Sequence, residues 1–353
     1  MNVSIDLTHV LQYSHRMTNL ADQCLSRAKT YIKGSYNDNV MSGIGNFGGL
    51  FQLDCKDYEE PVLVSSIDGV GTKLTLAVDF LKNQTIKYEY NPHYNIGVDL
   101  VNHCVNDIAV QGAKPLFFLD YFSTTKLHPS VFENLASGMS WACQQADCPI
   151  ISGEIAQMPG FYANGVYDIA GSIVGIADKS KLVTGSKIKY GDVIVGVPSS
   201  GLHTNGYSMV RSTILNNYSL NTVFPEIEGS LGEKLLVPHK SYLEIITKVC
   251  KSFEVRGMAH ITGGGLVGNI VRIIPEDLKF SVDWGSWEWP SIFKLIQDKS
   301  EPKISDTTMR DSFNLGIGMV FVVHSECSKP IIDWLKEHFD EDAVEIGQIH
   351  EDN

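Results

Sequence analysis

Asp107-Ile-Ala-Val-Gln-Gly-Ala-Lys-Pro115 is the stretch on which the reading of this chain turns. It has the form Asp-x4-Gly-Ala-x-Pro, and a second acid-bearing loop, Asp68-Gly-Val-Gly-Thr-Lys73, lies upstream. Each sets a carboxylate beside small, turn-forming residues. Two such carboxylates are what a hard cation bridging nucleotide phosphates requires. Asn106 adds a neutral oxygen, and Lys73 adds a point charge for phosphate. Taken singly, either segment reads equally well as a surface turn with a solvated acid.

Outward from these loops, apolar residues at three and four spacing predict helices over 93–110 and 130–145. Strand-like runs occupy 50–53, 62–67, 116–122, 150–155 and 169–176, and residues 7–33 read as one or two amphipathic helical turns. The polar, turn-rich stretch 177–192 marks a boundary, which gives two domains, 1–183 and 184–353. The second half alternates strands at 193–197, 258–261, 278–282, 317–323 and 343–349 with helices at 205–215, 242–253, 266–274, 290–297 and 329–339. Two α/β (α+β) domains are the simplest account. The strands 50–53 and 62–67 are largely apolar and would leave an exposed edge in a monomer, which predicts a homodimer.

The bulk numbers agree. A chain of 353 residues, 43% hydrophobic and 20% charged, is long enough for about two cores. The net charge of −13 argues against non-specific nucleic-acid binding. The seven cysteines contain no Cys-x-x-Cys pair, so free thiols in a reducing compartment are expected rather than a structural zinc site. Met1-Asn-Val-Ser-Ile-Asp does not resemble a signal peptide, and no apolar run of about 18 residues would cross a membrane. A cytoplasmic location is expected.

Three further segments carry possible chemistry. Gly43-Ile-Gly-Asn-Phe-Gly48 matches G-x-G-x-x-G but lacks the strand before and helix after that a dinucleotide site needs. A flap whose backbone approaches phosphate, or a plain loop, remains. Ser199-Ser200-Gly201-Leu-His203-Thr204-Asn205-Gly206 runs from a strand into a helix, as an anion site does, although Thr204 or Asn205 serves equally as a helix cap. His260-Ile-Thr262-Gly263-Gly264-Gly265 repeats that layout. Glu154, ending an apolar strand, is a third candidate carboxylate. There is no P-loop and no nucleophile elbow.

Together these segments resemble the aminoimidazole ribonucleotide synthetase (phosphoribosylformylglycinamidine cyclo-ligase) family. The similarity is carried by Gly45-Asn-Phe-Gly-Gly, Pro61 through Lys73, Gly97 through Tyr121, Gly153-Glu154, Ser199 through Tyr207, His260 through Gly265 and Phe313 through Met319, in order from about residue 31 onward. The resemblance implies an ATP- and Mg²⁺-dependent ring closure in purine synthesis. Formylglycinamidine ribonucleotide is converted to aminoimidazole ribonucleotide, with release of ADP and phosphate after ATP phosphorylates the formyl amide oxygen. It also implies a homodimer whose N-terminal strands form a central β-barrel.

The site roles that follow from the resemblance are these. Asp68, Asp107 and Glu154 would hold the metal. Gly45, Phe47, Gly48, Asp68, Gly69, Thr72, Lys73 and Asn106 would serve ATP. Ser199, Ser200, Gly201, Thr204, Asn205, Thr262, Gly263 and Gly264 would hold the substrate phosphate, with Asp107, His203 and Lys33 catalytic. The chain departs from the family around Tyr13 and at Glu154-Ile155-Ala156-Gln157, where the family carries Glu-Thr-Ala-Glu. Two rivals stand beside this reading. One is another ATP enzyme of the superfamily, acting on selenophosphate, thiamine phosphate or hydrogenase maturation; the other is a silent nucleotide-binding scaffold.

Overall fold

The computed structural model describes residues 23, 26–82 and 91–352. Of the helical turns expected over 7–33, residues 26–34 form helix α1; the earlier ones and the departure at Tyr13 lie outside the described residues. The first half continues as β1 (Pro61–Gly69), α2 (Lys73–Lys82), α3 (Pro92–Ala109), β2 (Lys114–Thr124), α4 (Pro129–Gln145), β3 (Ile150–Gln157) and β4 (Tyr167–Asp178). The strands lie in the order β1-β4-β2-β3. Only β2 and β3 are parallel.

Helices α3 and α4 cover one face of this sheet, burying Ile96, Leu100, Phe132 and Met139 with Phe118, Phe122, Ile169 and Ile173. The two helices cross closely because Gly97 and Gly138 meet there. A side chain on either would strike the partner helix's backbone, at Leu135 O or Tyr94 O. The opposite face is open and apolar: Leu63 is 60% exposed, Ile67 71% and Tyr121 42%.

The second half holds β5 (Val193–Pro198), β6 (Gly257–His260), β7 (Leu278–Val282), β8 (Ile317–Val323) and β9 (Val344–Glu351) in the order β6-β8-β5-β9-β7, every pair antiparallel. Helices Leu243–Ser252 and Ser325–Phe339 bury one face, and helix Gly265–Ile270 the other. That is why β5 and β8 are buried along nearly their whole length and read as unbroken apolar runs. The expected two-part α/β architecture holds, with a mixed sheet first and an antiparallel sheet second.

Several elements differ from expectation. Residues 50–53 form no strand; Phe51 makes one isolated bridge to Val40, and Leu50 and Leu53 are half exposed, so the run has no face to bury. Helix α2 begins at Lys73, directly after the Asp68 loop. The helix expected over 205–215 breaks at Thr213, whose hydroxyl donates to Met209 O at 2.8 Å, leaving Tyr207–Ser212 and Ile214–Asn217. Among the described residues, no helix is long and apolar enough to cross a membrane.

Candidate functional site

Helix α3 organises the site through two adjacent stripes. Asn95, Asp99, Asn102 and Asn106 recur at helical spacing and face the second half. Their side chains hold the backbone of the segment after Leu235: Asn95 Nδ2 donates to Leu236 O (3.0 Å), Asn102 Nδ2 to His239 O (2.7 Å) and Asn106 Nδ2 to Lys240 O (2.8 Å). In return, His239 N donates to Asp99 Oδ1 (2.7 Å) and Tyr242 N to Asn106 Oδ1 (2.8 Å). Lys73, at the start of α2, completes this seam. Its ammonium is fully buried, lies 2.9 Å from Asp99 Oδ1, and donates to His203 O (3.0 Å) and Val237 O (2.7 Å). Burial lowers the lysine pKa and raises that of Asp99, and each charge opposes the shift on the other.

The second stripe, His103 and Asp107, faces the end of β1. Ser66 Oγ lies 3.1 Å from Asp68 Oδ2 and 3.1 Å from Asp107 Oδ2, so the two carboxylates converge on one hydroxyl. Burial, then the neighbouring Asp107, pushes Asp68 up to about 6. Burial acts in the same direction on Asp107, but the hydrogen bond and charge of His260, helped by His103, outweigh it and hold that carboxyl well below the usual range.

Histidines surround this pair. His260 Nδ1 is 2.7 Å from Asp107 Oδ1, and its Nε2 is 2.9 Å from His239 Nε2. His103 Nδ1 is 2.8 Å from Thr204 Oγ1, and its Nε2 is 3.6 Å from Asp68 Oδ1. The His203 ring stacks on His239 with centroids 4.0 Å apart. Burial lowers the pKa of His103 to about 4 and also lowers those of His203 and His239, so these imidazoles are neutral at pH 7.

The expected residues are thus partly assembled. Asp68 and Asp107 meet as anticipated, and the loops 199–206 and 260–265 join them through Thr204 and His260. Thr72 Oγ1 touches Ser208 Oγ at 3.1 Å. In the loops, Ser199 Oγ donates to Gly201 O (2.9 Å) and Ser200 Oγ to Pro238 O (2.7 Å). Thr262 Oγ1 is 3.1 Å from Asn269 Oδ1, and Asn205 Nδ2 donates to Thr204 Oγ1 (3.3 Å). Gly206 carries φ 84° against the Phe313 ring, so only glycine fits that turn.

Four expectations are corrected. The Lys73 charge and the Asn106 oxygen are both buried and committed to the seam between the halves, the oxygen accepting from Tyr242 N and the ammonium donating to Asp99, His203 O and Val237 O. His203 is 1% exposed, its Nε2 accepts from Ser200 N (3.2 Å) and its ring stacks on His239, so it orders its own loop. Glu154 is not a metal partner of Asp68 in the same chain. Gly69, Ala170, Tyr121 and Glu154 lie in register across the sheet, which puts Glu154 three strands, about 14 Å, from the Asp68 end and on the other face.

A second group gathers at that far edge. Gly49 lies against Ile151, and Ser35 Oγ accepts from Ile150 N (3.1 Å), which fixes the glycine loop beside β3. Lys33, Gly45, Phe47, Gly48 and Glu154 are all exposed there. Sequence reasoning missed His103 and His239. His103 had a signal, since it precedes Asp107 by one helical turn; His239 had none, because it sits in an extended segment brought in by the seam.

Comparison with known proteins follows the same geometry. The family model described as AIR synthase related protein, N-terminal domain, matches residues 28–177, and its C-terminal counterpart matches residues 189–353. A phosphoribosylformylglycinamidine cyclo-ligase of Bacillus cereus (strain Q1) is 46% identical over 317 residues, covering 89% of this chain and 88% of its own. One of Bacillus thuringiensis (strain Al Hakam) is equally similar, with the same coverage. Among solved structures, thiamine-monophosphate kinase from Stenotrophomonas maltophilia K279a superposes with a TM-score of 0.68 at 16% identity, over 93% of each chain. A hydrogenase maturation protein HypE in complex with ATP gives 0.59 at 14% identity, over 91% of this chain and 84% of that one. At such identities these structures speak for the fold alone, whereas the cyclo-ligases match in sequence along most of the chain. The chain belongs to the AIR synthase related family, among the phosphoribosylformylglycinamidine cyclo-ligases.

Proposed function

We propose that this chain is an ATP-dependent cyclo-ligase of purine biosynthesis that closes formylglycinamidine ribonucleotide to aminoimidazole ribonucleotide, releasing ADP and phosphate. The observation that carries this reading is the 46% identity to named cyclo-ligases over 89% of the chain, coinciding with an intact Asp68–Asp107 pair. The far lower identity to the kinase and to HypE favours it over the superfamily rivals.

The acid pair suits Mg²⁺. Burial first, and then the neighbouring Asp107 on the same serine hydroxyl, raise Asp68, and a divalent cation with oxygen ligands would relieve both. Asp68 and Asp107 would hold the ion, and His260 aims Asp107 through its 2.7 Å contact. The bound ion would screen the charge of nucleotide phosphates there. The loop 199–206, with Thr262, Gly263 and Gly264 beside it, would hold the substrate's ribose phosphate through its remaining backbone amides, since the hydroxyl protons of Ser199, Ser200 and Thr262 are already engaged. His203 acts as a positioning residue that keeps this loop closed.

Lys33, Gly45, Phe47 and Gly48 would serve the nucleotide from the β3 edge. They reach the acids only if a second chain lies against the open sheet face. The exposed Leu63, Ile67 and Tyr121 on that face support a homodimer built there, with N-terminal strands combining into a barrel. Division of the chain into 1–183 and 184–353, and residence in the cytoplasm, complete the reading. Incubation with formylglycinamidine ribonucleotide, ATP and Mg²⁺ should yield aminoimidazole ribonucleotide and ADP in equal amounts. ATP binding without product would leave the silent scaffold instead.

A further inference from the structure

We propose that Arg272 is the cation that binds the phosphate of the ribonucleotide substrate, from a position beside the glycine loop 262–264. The inference rests on the ring-closing reading for the identity of that substrate and adds a residue that no motif singled out.

A phosphate monoester brought near Asp68 and Asp107 meets two acids in a chain of net charge −13, so a local positive charge is required to hold it. The other basic groups around the two loops are engaged. Lys73 is buried against Asp99, and Lys240 is paired with Glu341 and donates to Pro198 O (3.2 Å). Burial keeps His203 neutral. Arg272 is different: it is exposed, and among the described residues its guanidinium pairs with no carboxylate. Its side chain donates to Asn269 Oδ1 at 3.4 Å, long enough to yield to a better acceptor.

That contact fixes where the guanidinium lies. Asn269 is buried, and its amide donates to Gly263 O (3.2 Å) and Gly265 O (2.7 Å), while its Oδ1 accepts from Thr262 Oγ1 (3.1 Å). Arg272 and Thr262 therefore share one acceptor, which sets the guanidinium against the loop. The local backbone explains the reach. A single 3-10 turn, Val271–Ile273, continues helix Gly265–Ile270. Helical side chains lean toward the preceding turn, so Arg272 is directed back along Gly268 and Gly264, four and eight residues earlier. Both glycines are exposed, and a Cβ at Gly268 would meet nothing within 4 Å, so the arm runs over bare backbone. The loop 199–206 closes the other side: a Cβ at Gly263 would lie 3.3 Å from Asn205 Oδ1. Toward the acids, burial and Asp107 raise the Asp68 carboxyl, and the Arg272 charge acts against them, which puts it within electrostatic reach of that end of β1. A planar guanidinium with five donors matches phosphate oxygens in pairs.

The test compares wild type, Arg272→Lys and Arg272→Met as full-length proteins in two assays: turnover with formylglycinamidine ribonucleotide and ATP, and calorimetric titration with ribose 5-phosphate. Arg272→Met should raise KM for the ribonucleotide about 10–100-fold, as loss of a charged hydrogen-bonding partner does, and leave KM for ATP within about twofold. Ribose 5-phosphate affinity should fall by a similar factor. Arg272→Lys should lie between, because a point charge keeps the attraction and loses the fork. Melting curves should not move, since the side chain is exposed and weakly bonded. An unchanged ribonucleotide KM in folded Arg272→Met, a rise confined to the KM of ATP, or no ribose 5-phosphate binding by the wild type overturns the proposal. Turnover unaffected by Arg272→Met removes this residue and leaves the ring-closing reading. Arg272-dependent binding of ribose 5-phosphate without any aminoimidazole ribonucleotide from the wild type does the reverse.

Discussion

The two edges of the first sheet are built on opposite plans. At the β1 edge, Asp68 and Asp107 lie in a buried network of histidines, and the neighbouring Lys73 spends every donor on protein acceptors. At the β3 edge, Lys33, Gly45, Phe47, Gly48 and Glu154 stand in solvent, and the loop is tied down by few bonds, such as Leu50 N to Ser42 Oγ at 2.8 Å. The first region is preorganised by its own hydrogen bonds. The second is a set of donors with nothing to close on in its own chain. The proposal that a site is completed between chains rests on this contrast between the two edges.

Four experiments press on that contrast. Lys73→Met should have the largest effect, on stability rather than catalysis. Removing one member of a fully buried ion pair strands Asp99 and should cost about 3–5 kcal/mol in denaturant unfolding. Unchanged stability with a raised KM for ATP would return Lys73 to the nucleotide. Asp107→Asn comes next: turnover at saturating Mg²⁺ should fall about 10²–10³-fold, or about 2.7–4 kcal/mol, with an unchanged melting curve. Near-normal turnover would remove Asp107 from the metal site.

Complementation is a smaller but sharper effect. Asp107→Asn and Lys33→Ala should each be poorly active alone. Mixed and refolded together, they should recover up to about a quarter of wild-type activity, because half the dimers then carry one intact site. No recovery, with a dimer shown by light scattering, would mean that each site is built within one chain.

The smallest effect is in pH. Asp68 has a folded pKa raised from 3.8 to about 6, so the folded state holds this proton more tightly than the unfolded one. In EDTA, this group should therefore lower stability as pH rises from about 4 to about 6, by at most about 1 kcal/mol for a partly exposed carboxyl. Asp68→Asn should flatten the melting temperature across that window. A slope of the opposite sign would show that Asp68 is not the strained member of the pair.

The sequence alone determined much of this protein. Helices α3 and α4 were legible from apolar spacing, and β5 and β8 from unbroken apolar runs, because burial against a sheet imposes those periods locally. Asp68 and Asp107 stood out as acids beside small residues, although the structure places them at the end of strand β1 and in the last turn of helix α3, and the resemblance of the quoted motifs carried the family. Residues 50–53 misled, since an apolar run becomes a strand only if a neighbour covers it.

What only the tertiary structure decided was which polar groups are already satisfied. Lys73 has the right charge for phosphate and Asn106 offers an oxygen, yet both close the seam with the segment after Leu235. His203 is buried with its Nε2 tied to its own loop, and Glu154 is carried to the far edge by the strand order. His239 enters the site from a segment more than a hundred residues from Asp107. A side chain's type is written in the sequence, but its free valence depends on long-range neighbours, and those are fixed only when the two halves meet.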